Sequence, residues 1–173
     1  RVCGVSHGIG VANGMDAIEI AILGLSIGEG DEVITTPMTA FATILAIIRS
    51  GAKPVLADID LETALLSTES VRRCLSPKTK AIVLVHLYGQ VRQMDKWVKF
   101  CEENKIILIE DCAQAHLATW QGKVSGSFGQ AGADSFYPTK NLGAVGDAGM
   151  LVTSDSTLAK KARRLRNYGQ SER

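Results

Sequence analysis

The 173 residues predict an α/β domain built on a mostly parallel central sheet flanked by helices. Three observations carry that expectation. Short apolar runs of strand length alternate with stretches of helical periodicity, which is the pattern of a sheet covered by helices. Some runs, such as Ile106, Ile107, Leu108 and Ile109, are apolar without interruption, as strands buried on both faces are. A 46% hydrophobic content over this length suits one core of ordinary domain size.

Taken in order, the first helix is expected over 14–25, where Ala17, Ile18, Ala21, Ile22 and Leu25 recur at helical spacing. A strand near 32–36 follows, then a helix over 39–50 that stops before Gly51, as helices often stop at glycine. Strands are expected near 54–58 and 81–85. A helix over about 93–104 turns Met94, Trp97, Val98 and Cys101 inward and leaves Asp95, Lys96, Lys99 and Glu102 to water. Strands near 106–110, 132–136 and 149–153 complete the sheet. The last helix, capped by Ser154 or Asp155 and reaching about Asn167, carries Leu158, Ala162 and Leu165 inward. No repeat, low-complexity stretch or linker divides the chain, so 1–173 reads as one domain.

Composition narrows the function mainly by exclusion. Nineteen basic against eighteen acidic residues give a net charge of +1, and the cluster Arg163, Arg164 and Arg166 reads as a solvated helix face, so nucleic acid is not an expected partner. No apolar run of membrane-spanning length and no signal peptide is seen, which makes the cytoplasm the default location. Cys3, Cys74, Cys101 and Cys112 lack paired Cys-x-x-Cys spacing, so reduced thiols are expected rather than a metal site or a disulfide framework. Gly8-Ile-Gly-Val-Ala-Asn-Gly14 has one residue too many for a dinucleotide fingerprint, and no clear strand precedes it.

The chemistry concentrates at Asp111 and Lys140, 29 residues apart. Asp111 ends the apolar run of a buried strand, where open α/β sheets place their ligands. A carboxylate there needs a cationic partner, and the protonated ring nitrogen of pyridoxal phosphate is one that an acid would hold charged. Lys140 would then be the amine that carries the cofactor. The phosphate of such a cofactor needs backbone donors, and the turn Asn13-Gly14-Met15-Asp16 that opens the first helix offers free amides at a positive dipole end. With no hydroxyl at Met15, the donors expected beside Gly14 are the amides of Met15 and Asp16.

Around this pair lie Val11-Ala-Asn-Gly-Met-Asp-Ala17, Gly30-Asp-Glu-Val-Ile-Thr35, Gly51-Ala-Lys-Pro-Val55, Thr79-Lys-Ala-Ile82, Val85-His-Leu-Tyr-Gly-Gln90, Glu110-Asp-Cys-Ala-Gln-Ala-His116 and Ser135-Phe-Tyr-Pro-Thr-Lys-Asn-Leu-Gly143. In that order these segments resemble the sugar aminotransferases of the DegT/DnrJ/EryC1/StrS family, within fold type I of the pyridoxal phosphate enzymes. The resemblance implies the large cofactor-binding domain of that fold, in a chain that is a fragment of a longer protein with an opening segment and a smaller C-terminal domain. It implies transamination of a nucleotide-linked keto sugar by an amino acid donor, glutamate, in glycan or secondary-metabolite biosynthesis, by a homodimer. Ser135 would give the phosphate a hydroxyl, Phe41 would stack on the pyridine face, and Gln114 would donate to the phenolic oxygen. The glycine-rich turn 143–149 would position the lysine.

Some readings compete with these. Phe41 stands at helical spacing with Leu45 and Ile48, so core packing is its alternative. His116 reads more readily as a hydrogen-bonded structural histidine than as a catalytic one. A branch of the family that dehydrates or deoxygenates sugars has histidine in place of the lysine, and Lys140 argues against it. A silent cofactor-binding or regulatory protein, or an inactive remnant, is the rival from another class.

Overall fold

A computed structural model describes residues 2–170 of the chain. In chain order the elements are β1 (His7–Val11), α1 (Gly14–Gly24), β2 (Glu32–Thr35), α2 (Phe41–Arg49), β3 (Lys53–Leu56), α3 (Thr68–Cys74), β4 (Thr79–Val85), α4 (Met94–Asn104), β5 (Ile107–Asp111), β6 (Thr119–Trp120), β7 (Lys123–Val124), β8 (Ala131–Ser135), β9 (Gly149–Thr153) and α5 (Ser156–Leu165). Seven strands form one sheet in the order β1-β9-β8-β5-β4-β2-β3, and β6 and β7 form a separate hairpin. The run from β3 to β8 is parallel. β9 is antiparallel to both of its neighbours, β8 and β1. The expected mostly parallel α/β sheet is therefore present.

The uninterrupted apolar runs are explained by a core on each face. Val33, Ala81, Val83 and Ile109 join the cluster under α1, α2 and α5, while Ile34, Ile82, Leu84 and Leu108 join the cluster that holds Met94, Trp97 and Phe100 of α4. Successive strand residues point to opposite faces, so a doubly covered strand must be apolar at every position. Fully burying each such valine, leucine or isoleucine side chain stabilises the fold by about 1.5–3 kcal/mol.

Helix ends follow local chemistry. Asn13 Oδ1 accepts the Asp16 amide at 2.8 Å to cap α1, and Asp155 Oδ1 accepts the Thr157 and Leu158 amides at 2.7 and 3.1 Å to cap α5. Among the described residues no helix is long and apolar enough to cross a membrane. All four cysteines are free, with Cys101 and Cys112 buried.

Several expectations are corrected. β1, an edge strand absent from the expected elements, runs through Gly8 and Gly10; only Ile9 of the five residues is buried, which leaves no apolar pattern to read. α3 has seven residues and β6 and β7 two each, lengths with little periodicity to detect. In α4 Phe100 joins Met94, Trp97 and Cys101 among the buried residues, while Val98 packs half-buried against the same core. Leu165, in the last turn of α5, is 40% exposed rather than inward. Beyond it, Arg166 Nη1 donates to Gly10 O at 2.8 Å and ties the end of this segment to β1.

Candidate active site

The C-terminal ends of β5 and β8 and the start of α1 meet at one edge of the sheet, where the strand order reverses direction in the chain. Asp111 is the last residue of β5 and only 5% exposed. Its Oδ2 accepts Thr43 Oγ1–H at 2.8 Å and its Oδ1 accepts the Ala113 amide at 3.1 Å. Because Thr43 points its proton at Asp111, the 2.9 Å contact with Thr39 has Thr39 as donor. A two-hydroxyl relay from α2 therefore orients the acid. Both carboxylate oxygens keep lone-pair capacity for a cation.

Lys140 sits in the loop that leaves β8. That loop is closed by Lys140 N to Tyr137 O at 2.8 Å, Ala144 N to Phe136 O at 2.7 Å and Phe136 N to Ala148 O at 2.8 Å. The Lys140 amine is half-buried and makes no hydrogen bond to another described residue. A cavity of about 370 Å³ is lined by Lys140, Asp111, Thr43, Ser135, Gly14 and Met15, among others. A narrow recess beside it shares Asp111, Lys140 and Ala40 and adds His86, Leu87 and Gln114.

Two glycines allow α1 to reach this place. A Cβ on Gly14 would lie 2.6 Å from Ser135 Cβ, and one on Gly149 would lie 2.3 Å from the Asn13 carbonyl group. Only residues without a side chain let the first turn of α1 press against β8 and β9. Asn13 changes the expected donors, because its side chain occupies the Asp16 amide. The orphan amides of the first turn are those of Gly14 and Met15, and Asp16 does not line the cavity. Ser135, 7% exposed, brings its hydroxyl to the same end.

Phe41 is not brought to the cavity. Its ring is 67% exposed, and Ala40 occupies the wall instead. The core alternative fails as well, since α2 buries Thr43, Ala46 and Ile47 and leaves Ile48 49% exposed. Gln114 is well placed in the recess: its Oε1 accepts the Tyr88 amide at 2.8 Å, which leaves its NH₂ to donate. Tyr88 is held there at φ 57°, the left-handed region.

His116 lies behind the site. Its Nε2–H donates to Ser135 O at 2.8 Å, its ring stacks on Phe136 at 5.4 Å, and its Nδ1 is buried without a partner. Burial, followed by the charge of Lys140, holds its pKa below the usual histidine value against the opposing Ser135 carbonyl. It does not line the cavity, and its contacts are those of a structural residue.

Sequence reasoning missed the support under Asp111. Glu110 is fully buried, and its carboxylate accepts His86 Nε2 at 2.9 Å and the amides of Gly126, Phe128 and Gly129 at 2.9, 2.7 and 2.8 Å. Burial pushes its carboxyl up, but the His86 bond and the Gly129 and Gly126 amides outweigh that, so it stays below its ordinary value. His86, Glu110 and Cys112 are close enough to suggest a metal site, but the Glu110 oxygens already accept four donors. The sequence does hold a signal for this: an acid inside an apolar strand has to find partners. A further buried acid, Asp134 of β8, is 8% exposed; burial first, then the charges of Asp111 and Glu110, lift its carboxyl to about 7.

The seven-stranded sheet flanked by helices, with a lysine, a strand-end carboxylate and a helix N-terminus around one cavity, has the fold of type I aminotransferase structures. The chain belongs to the DegT/DnrJ/EryC1/StrS aminotransferase family, whose pattern matches residues 1–173. It is 49% identical over 163 residues to the "Pleiotropic regulatory protein" of Geobacillus stearothermophilus, covering 94% of this chain and 44% of that protein. It is 45% identical over 172 residues to the dTDP-3-amino-3,4,6-trideoxy-alpha-D-glucose transaminase of Micromonospora megalomicea subsp. nigra, covering 99% of this chain and 46% of that protein. Among solved structures it is similar to S. venezuelae DesV, with a TM-score of 0.95 and 41% identity over 99% of this chain and 46% of that one. The chain thus spans somewhat under half the length of the relatives it matches.

Pyridoxal phosphate is the cofactor of this family. The residues present fit it: unpaired amides and a hydroxyl for a phosphate, a buried oriented carboxylate for a ring nitrogen, a free amide NH₂ for a phenolic oxygen, and an unpartnered amine.

Proposed function

We propose that the protein carrying this chain is a pyridoxal phosphate-dependent aminotransferase that passes an amino group from an amino acid donor, glutamate, to the keto carbon of a nucleotide-linked sugar, and that residues 1–173 form its cofactor-binding large domain. The observation that carries this reading is the single cavity that gathers Lys140, Asp111, Ser135 and the first turn of α1. The names of the transaminase relatives support the substrate class, and glycan or secondary-metabolite biosynthesis is the setting such a product suits.

When bound, the cofactor supplies an electron sink and a carrier for the amino group. The chain's own residues do the rest. Asp111, fixed by Thr43 and Ala113, keeps a proton on the ring nitrogen. The Gly14 and Met15 amides, the helix dipole and the Ser135 hydroxyl hold the phosphate. Gln114 donates its NH₂ to the phenolic oxygen. Lys140 would hold the cofactor through its Nζ and, when that amine is free, would serve as the base that takes a proton from the substrate carbon and returns it.

A homodimer is part of the proposal. Phe41 at 67%, Tyr88 at 70%, Leu142 at 57% and Val145 fully exposed all lie within two residues of a residue that lines the cavity or the recess, and apolar exposure of this kind suits a second copy closing the site. This gives Phe41 a place that neither ring stacking nor core packing does. The cytoplasm is the proposed location, supported by four free thiols.

A second reading, a protein that holds the cofactor and acts in regulation without turnover, is favoured by the name of the Geobacillus relative. Lys140 argues against the dehydratase branch. The test is transamination of keto sugars by the full-length protein and by Lys140→Ala: turnover that disappears in the folded variant supports the enzyme, and near-normal turnover in the variant overturns the role of Lys140. Cofactor binding with no turnover on any sugar would leave the regulatory reading.

A further inference from the structure

Asp134 is a buried acid to which none of the roles above gives a task. It follows Ala133, which is the register partner of Asp111 across β5 and β8, so Asp134 lies beside the cofactor acid but on the opposite face of the sheet. That face is closed against it: a Cβ on Gly132, two residues earlier, would lie 2.4 Å from Gly126 Cα. Asp134 makes no hydrogen bond to another described residue, whereas Glu110 has four donors and Asp111 has two.

The groups that face it are acids and thiols. Asp111 and Glu110 of β5 act on its carboxyl. Burial first, and then charges that include Asp134, raise the thiols of Cys112, which follows β5, and of Cys3 in the N-terminal segment. Its partner on β9 is the uncharged Met150. No cation among the described residues offsets a charge there, and a carboxylate in such surroundings takes up a proton.

We propose that Asp134 is a positioning residue that acts on the cofactor through Asp111, standing protonated in the cofactor-free protein and releasing its proton when a cationic ring nitrogen is held at Asp111. The inference rests on the reading of Asp111 given above. The O–H bond of Asp134 breaks, the proton leaves to solvent, and no oxidation or reduction is involved. Burial comes first in keeping Asp134 neutral and the charge of Asp111 adds to it; a cation at Asp111 offsets that charge and shifts Asp134 toward the carboxylate, which then adds negative potential behind the ring nitrogen and holds its proton more firmly. Proton release and cofactor binding are therefore linked, and affinity rises with pH through the range in which Asp134 titrates.

The test is a titration of the full-length protein with pyridoxal phosphate between pH 5.5 and 8, in the wild type and in Asp134→Asn. All other groups are common to both. Below about pH 7 the wild-type Kd is expected to fall with pH more steeply than the Kd of Asp134→Asn, the difference reaching up to about tenfold per pH unit. Equal slopes overturn the proposal. Infrared difference spectra of the wild type with carbon-13-labelled aspartate decide the matter even where Asp134→Asn fails to fold: loss of a protonated carboxyl band on cofactor addition supports the proposal, and an unchanged band overturns it. Failure of the underlying reading looks different, because Asp111→Asn would then bind the cofactor as tightly as the wild type.

Discussion

Replacing Asp134 by asparagine removes a titration and preserves shape, so its effect on stability against pH is expected to be large and of defined sign. The folded carboxyl titrates at about 7 against an ordinary value of 3.8, a rise of about three units, or about 4 kcal/mol at 1.36 kcal/mol per unit. A raised carboxyl binds its proton more tightly when folded than when unfolded. The wild type thus has this stability in full below about pH 4 and loses it progressively as pH rises to about 7, after which the loss levels off. The asparagine side chain stays neutral throughout. Its NH₂ has no evident acceptor, which costs about 1–3 kcal/mol, but that cost does not vary with pH. The assay is urea unfolding of the cofactor-free protein at a series of pH values. Between pH 4 and 8 the wild type is expected to lose about 4 kcal/mol relative to Asp134→Asn. Parallel stability curves would show that Asp134 is ionised throughout this range and refute the reasoning.

Other outcomes follow from the site. Thr43→Val keeps shape but removes the donor to Asp111, and should weaken cofactor binding by about 1–3 kcal/mol in equilibrium titration, with Thr43→Ser restoring most of it. Gly14→Ala forces a methyl group to 2.6 Å from Ser135 Cβ; overpacking of about 1–3 kcal/mol should appear as a lower melting temperature together with weaker phosphate binding. Glu110→Gln leaves His86 and three amides facing a mixed amide, and should destabilise the protein by about 3–5 kcal/mol in denaturant unfolding. Since the Glu110 carboxyl is held below its ordinary value, the wild-type advantage is present above the unfolded glutamate range and declines as pH falls through the folded value.

The parts of the fold legible in the sequence are those with strong periodicity or uninterrupted apolar runs. β4, β5, α1 and α4 are of this kind, because doubly buried strands and amphipathic helices impose patterns on many residues at once. β1 is not legible, because an edge strand with two glycines and one buried side chain carries almost no pattern. At the site, Asp111, Lys140, Ser135 and Gly14 can be read from motif and position. The use of the Asp16 amide cannot, because it depends on which way the Asn13 side chain turns. Phe41 escapes for a related reason: α2 starts at residue 41, two residues later than expected, and Ala40 and Ala42 line the cavity while the ring lies outside. Thr43 and His86 reach Asp111 and Glu110 across 68 and 24 residues of chain, a distance over which sequence spacing carries no information.

The most direct measurement is to add pyridoxal phosphate to the full-length protein, reduce with borohydride and map the modified peptide by mass spectrometry. The cofactor is expected on Lys140 alone, with the adduct absent from Lys140→Ala. An adduct at another lysine, or none in a demonstrably folded protein, would contradict the assignment of the cavity as the cofactor site.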